Sequence, residues 1–267
     1  MDIAGKVFVV TGGGNGIGRE VVLELLRRGA RVAAVDLSSE GLAGTAALAA
    51  AGDRLSEHSA NITDRAAVEA LPAAVVAAHG QVDALVNVAG IIHRFVPVQE
   101  LSFDEIERVM NVNFWGTVNT TKIFLPTLLE RPVGAILNVS SMGGLVPVPG
   151  QSAYGASKAA VKLFTEGLYA ELLDTTVQVT VVFPGGVGTN ITGNSGVSID
   201  IDPEKAAKAA KNITSPESAG RQIVDAIAAG KPRLRIGNDA KMLDRISRFN
   251  PVKAISTVAK QMKAMMP

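Results

Sequence analysis

A tyrosine and a lysine four positions apart have the residue types and the spacing that most directly suggest catalysis. Tyr154 and Lys158 lie at the start of a stretch with helical periodicity, and side chains at positions i and i+4 share one face of a helix. A free tyrosine has a pKa of about 10, and a neighbouring positive charge favours the phenolate and lowers that pKa. The pair therefore predicts a phenol that exchanges a proton near neutral pH. An ordinary pair on a helix surface is the alternative.

Two serines follow a run that predicts a strand. Residues 135–139 are mostly apolar, and Ser140 and Ser141 come directly after them. In open α/β sheets, ligands bind at the carboxyl ends of the strands. We therefore expect the two serines to lie at a ligand-binding edge.

A glycine-rich loop connects the first predicted strand to the first predicted helix. Its sequence, TGGGNGIG from Thr11 to Gly18, lets the backbone turn sharply and approach a pyrophosphate, and the helix that follows offers free N–H groups to that anion. Asp36 ends the second predicted strand, 18 residues after Gly18. A carboxylate there accepts hydrogen bonds from both hydroxyls of a ribose and repels a 2′-phosphate. The loop and the acid together predict a dinucleotide site, whereas each alone is also typical of a plain turn or a solvated strand end.

The elements that must position these groups alternate between short β-branched runs and longer helical stretches. The predicted strands span residues 7–11, 31–36, 54–60, 82–88, 135–140, 177–183 and 233–236. The predicted helices include residues 17–28, 64–78 and 103–129. Most of the strands are apolar on both faces, as in parallel sheets covered by helices on each side, and the third strand is polar. This alternation predicts an α/β fold, a doubly wound Rossmann-type parallel sheet of about seven strands in a single domain over residues 1–267.

The composition excludes several classes of protein. The 267 residues contain no cysteine, which excludes disulfides, thiolate metal sites and cysteine nucleophiles and fits a reducing compartment. A formal net charge of +1 argues against general binding to nucleic acid. Two uncharged runs, 132–157 and 175–199, are interrupted by Gly, Pro, Ser, Thr and Asn, so neither predicts a membrane span. The N-terminus shows no secretory pattern, and we expect a cytoplasmic protein.

Two segments lie outside the regular alternation. Residues 190–215 form a long connection with one weak helical pattern at 203–212, and we expect them to be a substrate loop. Residues 240–267 form a basic extension with six Lys or Arg against one Asp. Its apolar side chains recur at three- and four-residue steps, at Val252, Ile255, Val258, Met262 and Met265.

This extension predicts an amphipathic helix, either at a membrane surface or docked on this fold or on a neighbouring subunit. Docking is favoured because Phe249 is the extension's only Trp or Phe anchor.

The spacing of the glycines, T-G-x-x-x-G-x-G, resembles that of the short-chain dehydrogenase/reductase family, and the resemblance extends over residues 3–189. Members of that family are single-domain nicotinamide oxidoreductases. The resemblance therefore implies a nicotinamide dinucleotide and a small-molecule alcohol or ketone as substrate. It also implies a homotetramer or a homodimer, formed through the helices that hold Asn113 and Tyr154 and through the last strand.

The same resemblance chooses between neighbouring candidates. The family's catalytic serine lies 13 residues before its tyrosine, which selects Ser141 and leaves Ser140 as a structural neighbour. The family also has a helix asparagine in an N-x-x-G context, which favours Asn113 over Asn111.

The resemblance implies a role for each of the four residues. Tyr154 would exchange a proton with the substrate while hydride moves to or from the nicotinamide. Lys158 would lower the pKa of Tyr154 and bind the nicotinamide ribose. Ser141 would form a hydrogen bond with the reacting oxygen, and Asn113 would hold a relay water.

For the cofactor, the resemblance implies contacts from the glycine loop and from the segments that follow several strands. The residues are Gly12, Asn15, Gly16, Ile17, Gly18, Asp36, Asn61, Ile62, Asn87, Ala89, Gly90, Pro184, Gly185, Val187 and Thr189, together with Tyr154 and Lys158. Asn61 stands where the family more often has Asp, and Val88 where it has Asn, and neither departure changes the expectation. The family's NADP enzymes often carry a basic residue at the position of Asn15 or Leu37, so NAD is favoured over NADP.

Fold and motifs do not name a substrate. The expected pocket is mostly apolar, without a cluster of Arg or Lys, and comprises Ile92, His93, Met142, Gly143, Gln151, Gly185 and residues 190–215. It predicts a neutral, fairly apolar secondary alcohol or ketone. We expect His93 to be simply exposed. His58 and His79 lack metal-ligand spacing, so no metal site is predicted.

Two other functions stay open. One is an NADPH-dependent 3-oxoacyl-thioester reductase. The other is a cofactor-binding sensor or scaffold that does not use the catalytic step, and the complete Ser–Tyr–Lys–Asn set argues against it.

Overall fold

One seven-stranded sheet forms the centre of the fold. The structure is a computed structural model that describes residues 1–197 and 213–265. The strands are β1 Val7–Thr11, β2 Arg31–Asp36, β3 Leu55–Ser59, β4 Ala84–Asn87, β5 Gly134–Val139, β6 Val177–Pro184 and β7 Arg233–Ile236. They lie in the order β3-β2-β1-β4-β5-β6-β7, and the six pairings are parallel. The predicted doubly wound parallel sheet is confirmed. The weak helical pattern at 203–212 lies outside the described residues.

Helices cover both faces of this sheet. They are α1 Gly16–Arg27, α2 Ser39–Ala49, α3 Arg65–Glu69, α4 Leu71–His79, α5 Phe103–Met110, α6 Gly116–Leu129, α7 Ser152–Glu171, α8 Ile191–Asn194, α9 Pro216–Ala228, α10 Asn238–Phe249 and α11 Pro251–Met265. Side chains mark several of their starts: Asn15 caps α1, and Ser102 forms a capping box with Glu105 at α5. Among the described residues, no helix is long and apolar enough to cross a bilayer.

The helix predicted over 64–78 is divided into α3 and α4. Pro72 lies in the first turn of α4, where a missing N–H leaves no helical hydrogen bond unmade. Inside one continuous helix the same proline would lose its bond to the Val68 carbonyl, so the chain begins a new helix at Leu71.

The helix predicted over 103–129 is interrupted by one π turn, Asn111–Trp115, between α5 and α6. A π turn adds a residue to one turn and shifts the direction of the side chains around it. Asn113 lies in this turn and is fully buried, whereas Asn111 is exposed.

The core has one layer on each face of the sheet. Phe8 and Val10 of β1 belong to the layer that includes side chains of α1 and α9. Val7 and Val9 belong to the opposite layer, with side chains of α4, α6 and α7. Successive side chains of a strand point to opposite faces, so a strand covered on both sides is apolar throughout. β3 is polar because it is an edge strand and only half-buried.

The strand order places the topological switch between β1 and β4. From β1 the chain proceeds outward to β2 and β3, and it then crosses to β4 on the other side of β1. The connections that leave these two neighbouring strands run to opposite sides, which opens a cleft at their carboxyl ends. The candidate residues that follow the strands therefore lie at one edge of the sheet.

The C-terminal extension folds as α10 and α11 and docks on the rest of the chain. Ala254 and Val258 of α11 are buried in a small cluster with Leu243 of α10 and with Val146, which follows β5. The cluster also contacts Met142, the residue after Ser141.

The buried stripe of α11 differs from the predicted one. Ala254, Val258 and Met262 recur at four-residue steps and face the cluster, while Val252 and Ile255 are exposed. The small side chain of Ala254 lets the helix approach closely, a feature that a search for large apolar residues passes over. The side chain of Met265 lies outside the described residues.

Candidate active site

The glycine loop after β1 is shaped for the close approach of two backbones. Gly12 has a φ of +73°, and a Cβ there would lie 2.8 Å from the Ala89 nitrogen. A Cβ at Gly18 would collide with the Gly12 carbonyl. Only glycine fits these positions. The loop therefore lies directly against the chain after β4, and the free N–H groups of α1 begin beside it, which is the cradle that a pyrophosphate requires.

Asp36 lies at the side of this loop, at the end of β2. Its Oδ2 accepts a hydrogen bond from Gly14 N at 2.9 Å, and its Oδ1 accepts one from Ser38 N at 3.0 Å. Each carboxylate oxygen has a further lone pair that could accept a ribose hydroxyl. Leu37 beside it is exposed, and Arg19 donates to the Gly14 carbonyl and to other protein groups. This end of the site thus presents a carboxylate.

Asn15 and Ile17 flank the start of α1. Asn15 Oδ1 accepts a hydrogen bond from Gly16 N at 2.8 Å, and its Nδ2 donates to Asn194 of α8 at 3.2 Å. Ile17 packs against the core layer of α1. Asn15 therefore joins the glycine loop to the first turn of the expected substrate loop.

Asn87 holds the strand ends together from inside. Its side chain is buried, and Oδ1 accepts a hydrogen bond from Thr120 at 2.8 Å. Its Nδ2 donates to Asn138 at 2.9 Å and to Thr121 at 3.2 Å. Since both the oxygen and the nitrogen of this amide bind protein groups, the side chain positions the end of β4, which Ala89 and Gly90 follow. It does not offer the cofactor a free polar atom. The threonines of α6 in this network were not predicted.

Asn61 and Ile62 follow β3. Asn61 Oδ1 accepts hydrogen bonds from the Thr63 backbone at 3.0 Å and its hydroxyl at 2.9 Å, which leaves the exposed Nδ2 for a ligand. The side chain of Ile62 is buried against Gly116, where a Cβ would lie 2.5 Å from it. Ile62 can therefore face a cofactor only with its backbone.

The segment after β6 lies beside the glycine loop. Pro184 ends the strand, and a Cβ at Gly185 would collide with the Asp239 carboxylate. Val187 is held by an isolated β bridge. A Cβ at Gly16 would lie 3.3 Å from Cγ2 of Thr189, so the 184–189 segment and the phosphate cradle form one continuous surface.

Three hydrogen bonds with residues outside the π turn fix the side chain of Asn113. Its Oδ1 accepts one from Ile91 N at 2.9 Å, and its Nδ2 donates to the Ile91 carbonyl at 3.0 Å and to Ser157 Oγ at 2.9 Å. Ser157 in turn donates to the Tyr154 carbonyl at 2.7 Å. Asn113 thus ties the chain after β4 to the turn of α7 that carries Tyr154 and Lys158. Ser157 was not predicted, although a serine directly before that lysine was visible in the sequence.

Lys158 is buried beneath the strand ends. Its Nζ donates to the Val139 carbonyl at 3.0 Å, and a Cβ at Gly90 would lie 3.0 Å from that nitrogen. Burial lowers the pKa of Lys158 to about 8. Ser140 donates to the Lys158 carbonyl at 2.7 Å, so its hydroxyl is directed to the helix backbone.

Tyr154 and Ser141 lie on two sides of Gly143. A Cβ at that glycine would lie 3.5 Å from Ser141 Oγ and 3.5 Å from the tyrosine ring. Burial raises the pKa of Tyr154, and a hydrogen bond with Ser141 opposes part of this shift. Burial therefore outweighs the other influences on this pKa in the described chain, and the lowering of the Tyr154 pKa by Lys158 stays a prediction. Loss of hydration of the phenolate dominates, and the ammonium donates to a carbonyl instead.

The expectation that His93 is exposed is wrong. The side chain is buried, its Nδ1 lies 2.6 Å from the Arg94 carbonyl, and Gln151 Nε2 donates to the His93 carbonyl at 2.7 Å. Ile92 N donates to Ser195 Oγ at 3.0 Å. The chain after β4 is thus folded against the start of α7 and against α8.

The other two histidines meet away from this edge. His58 and His79 each place Nε2 at 2.8 Å from Ser56 Oγ, and burial lowers the pKa of both. Within residues 1–197 and 213–265, no three metal-ligating side chains come together.

Comparisons with known proteins agree with this geometry. A family model described as short chain dehydrogenase matches residues 6–214. SadH of Mycobacterium tuberculosis, provisionally described as an oxidoreductase, is 42% identical over 251 residues, 92% of this chain and 91% of that protein. The 3beta-hydroxysteroid dehydrogenase 2 of Eggerthella lenta is 33% identical over 234 residues, 81% of this chain and 90% of that enzyme.

Solved structures share the fold. The crystal structure of a short chain dehydrogenase from Burkholderia cenocepacia, in complex with NADP, has a TM-score of 0.80 and 28% identity and covers 97% of this chain and 99% of that one. The 3-ketoacyl-(acyl-carrier-protein) reductase of Brucella melitensis, 26% identical with a TM-score of 0.78, is complexed with NADH and covers 88% of this chain and 96% of that one. The two structures together support a nicotinamide cofactor without choosing between its phosphorylated and unphosphorylated forms.

Proposed function

Because the chain belongs to the short-chain dehydrogenase family, we propose that it is an NAD-dependent oxidoreductase that moves hydride between nicotinamide and a neutral, fairly apolar secondary alcohol or ketone. One observation carries the proposal: Ser141 and Tyr154 flank Gly143 at the carboxyl edge of the sheet, with Lys158 one helical turn further along α7. A hydroxyl and a phenol close together can both contact one substrate oxygen.

Tyr154 is the proposed general acid–base. In alcohol oxidation its phenolate takes the hydroxyl proton, and in ketone reduction its phenol returns a proton to the carbonyl oxygen. Ser141 Oγ donates a hydrogen bond to the same oxygen. Proton transfer of this kind typically contributes about 10²–10⁴ in rate. When bound, the nicotinamide supplies the carbon that accepts or releases the hydride.

Lys158 and Asn113 support this proton transfer. With a pKa of about 8, Lys158 is largely protonated at neutral pH and can donate to a ribose hydroxyl. A Cβ at Gly90 would lie 3.0 Å from Lys158 Nζ and 3.2 Å from Asn113 Oδ1, so these two atoms lie near each other. The second lone pair of Asn113 Oδ1 is the proposed acceptor for a relay water.

Asp36 supports NAD over NADP. Its carboxylate can accept ribose hydroxyls, and a 2′-phosphate at the same place would be repelled. Neither Asn15 nor Leu37 offers a cation to that phosphate. The NADPH-dependent 3-oxoacyl-thioester reductase is therefore the second candidate.

The residues beside the proposed substrate position support a substrate alcohol that is mainly apolar. Ile92, Met142 and Val146 contribute apolar side chains beside the catalytic edge. His93 Nε2 and Gln151 Oε1 are buried without a hydrogen-bond partner in the described chain, and a substrate hydroxyl would complement such acceptors.

Self-association is part of the proposal. The helices α6 and α7, which follow Asn113 and carry Tyr154, leave Leu129, Leu163 and Tyr169 exposed. Exposed apolar side chains of this size on neighbouring helices support a homodimer or homotetramer.

Paired titration of the purified protein with NADH and NADPH tests the cofactor. Turnover is then followed at the reduced-nicotinamide absorbance across a panel of neutral alcohols and ketones. Tighter NADH binding with turnover is the expected result. Preference for NADPH would favour the acyl-thioester reductase, and NADH binding without turnover on any compound would favour the sensor.

A further inference from the structure

The helices α10 and α11 have exposed side chains outside the stripe that docks on the protein. Phe249, Val252 and Ile255, at the junction of the two helices, are 91%, 70% and 44% exposed. The same two helices carry five exposed cations, and three of them, Arg245, Lys253 and Lys260, lie within four residues of Phe249 or five of Ile255 in the sequence. We call these six residues the outer face.

The acidic side chains of α10 are directed inward and do not neutralise the outer face. Asp244 is 1% exposed and binds Arg233 and Arg235, each at 2.9 Å. Asp239 accepts a hydrogen bond from Gly186 N at 2.8 Å. The sequence of α11 contains no acidic residue.

The cations of the outer face have no protein partner in the described part of the chain. Arg245, Lys253 and Lys260 take part in none of the ion pairs found there. An exposed phenylalanine with two β-branched neighbours and unpaired cations is typical of helices that lie in the surface of an anionic bilayer. Their apolar side chains enter the boundary between headgroups and acyl chains, and their Lys and Arg contact lipid phosphates.

We propose that the outer face binds the surface of a bilayer that contains anionic lipids. A second copy of the chain is a poorer occupant, because a two-fold contact through this face would place two positively charged patches against each other. One side of the extension thus docks on the protein, and the exposed Phe249 gives the outer face an apolar anchor for lipid.

The position of the outer face has a consequence for the active site. The inner face of the same helices packs on residues 142–148, which directly follow Ser141. A bilayer bound to the outer face would be separated from residues 142–148 by the thickness of one helix, about 10–12 Å, and could supply an apolar alcohol from the lipid phase. This consequence rests on the proposed function, whereas lipid binding does not.

Co-sedimentation with sucrose-loaded vesicles tests the proposal on the full chain. Vesicles of phosphatidylcholine with about 30 mol% phosphatidylserine are expected to bind the protein at low salt. Vesicles of phosphatidylcholine alone are expected to bind it with at least tenfold lower affinity. Roughly 0.5 M NaCl should release the bound protein, because attraction between exposed charges is screened at that ionic strength.

Two variants and one matched control locate the binding surface. Phe249→Ser and Lys253→Glu should each weaken vesicle binding by about tenfold or more. Phe103→Ser, which removes a phenylalanine that is 83% exposed on α5, should bind as the wild type does. Circular dichroism shows that each variant is folded, and NADH binding, measured separately, shows that the site is intact.

Three outcomes would overturn the proposal. The first is no difference between the two kinds of vesicle. The second is equal loss of binding in Phe249→Ser and Phe103→Ser. The third is a Phe249→Ser variant that keeps its vesicle binding but changes its molar mass by light scattering, which would make the outer face a contact between subunits.

Discussion

Asn113 and Ser157 hold each other across two helices. Asn113 Nδ2 donates to Ser157 Oγ at 2.9 Å, and both side chains are fully buried. Ser157 continues the chain of hydrogen bonds to the Tyr154 carbonyl at 2.7 Å. The position of Tyr154, the proposed general acid–base, therefore depends on a π turn far earlier in the sequence.

Removing this link should affect both stability and turnover. Asn113→Ala leaves the Ile91 backbone and Ser157 without their partner, and a buried group without a partner costs about 1–3 kcal/mol. We expect the free energy of unfolding in urea to fall by that amount and kcat to fall at least tenfold. Asn111→Ala, at an exposed position of the same turn, is the control and should change neither. Equal effects of the two variants would contradict the assignment.

Lys158 should make stability depend on pH in a defined window. Its pKa is lowered from 10.5 to about 8 in the folded chain, so between these values the unfolded state binds more protons. The free energy of unfolding therefore increases as the pH rises from about 8 to about 10.5. Relative to Lys158→Met, the wild type should gain up to about 3 kcal/mol over this window. Urea unfolding at several pH values measures the difference, and a constant difference would show that the ammonium is not desolvated.

The carboxylate of Asp36 should determine the choice of cofactor. Asp36→Ala removes the acceptor for ribose hydroxyls and the repulsion of a 2′-phosphate. The ratio of the Kd values for NADPH and NADH should then fall by roughly 10- to 100-fold, the equivalent of about 1–3 kcal/mol. Glu40→Ala, an exposed acid in the first turn of α2, is the control. An unchanged ratio in Asp36→Ala would remove the reason to favour NAD.

Two valines of α11 should differ sharply in their effect on stability. Val258 is 5% exposed in the cluster with Val146, while Val252 is 70% exposed. Val258→Ala removes buried methyl groups and should cost about 1–2 kcal/mol of unfolding free energy. Val252→Ala should stay within about 0.5 kcal/mol. Thermal and urea unfolding compare the two, and equal values would mean that the extension does not dock as the structure has it.

Much of the fold can be predicted from the alternation of strand-like apolar runs and helical apolar patterns along the sequence. Parallel strands buried on both faces are runs of Val, Ile and Ala, as in Arg31–Asp36, and the glycine loop fits only a tight strand–helix turn. The edge that carries the candidate site is also predictable because the carboxyl ends of parallel strands meet at one side of the sheet.

Other features depend on packing that local patterns do not report. The π turn at Asn113 has ordinary helical periodicity on both sides, so nothing in the spacing marks the added residue. His93 is buried in a segment whose backbone is held by Gln151, far along the chain. The face of α11 that docks is decided by Ala254, whose side chain is too small to stand out in an apolar pattern. The direction in which the pKa of Tyr154 shifts depends on burial, and the spacing of Tyr154 and Lys158 does not predict burial.

The central claim is that Tyr154 performs proton transfer at a nicotinamide site, and one comparison tests it most directly. The Kd for NADH and the kcat on the most active compound of the alcohol and ketone panel are measured for Tyr154→Phe and Tyr169→Phe. These are the two tyrosines of the chain, and Tyr169 lies on the same helix with its side chain 41% exposed. The account predicts that Tyr154→Phe binds NADH as the wild type does and loses about 10²–10⁴ of kcat, while Tyr169→Phe keeps both. Wild-type turnover in Tyr154→Phe would contradict it.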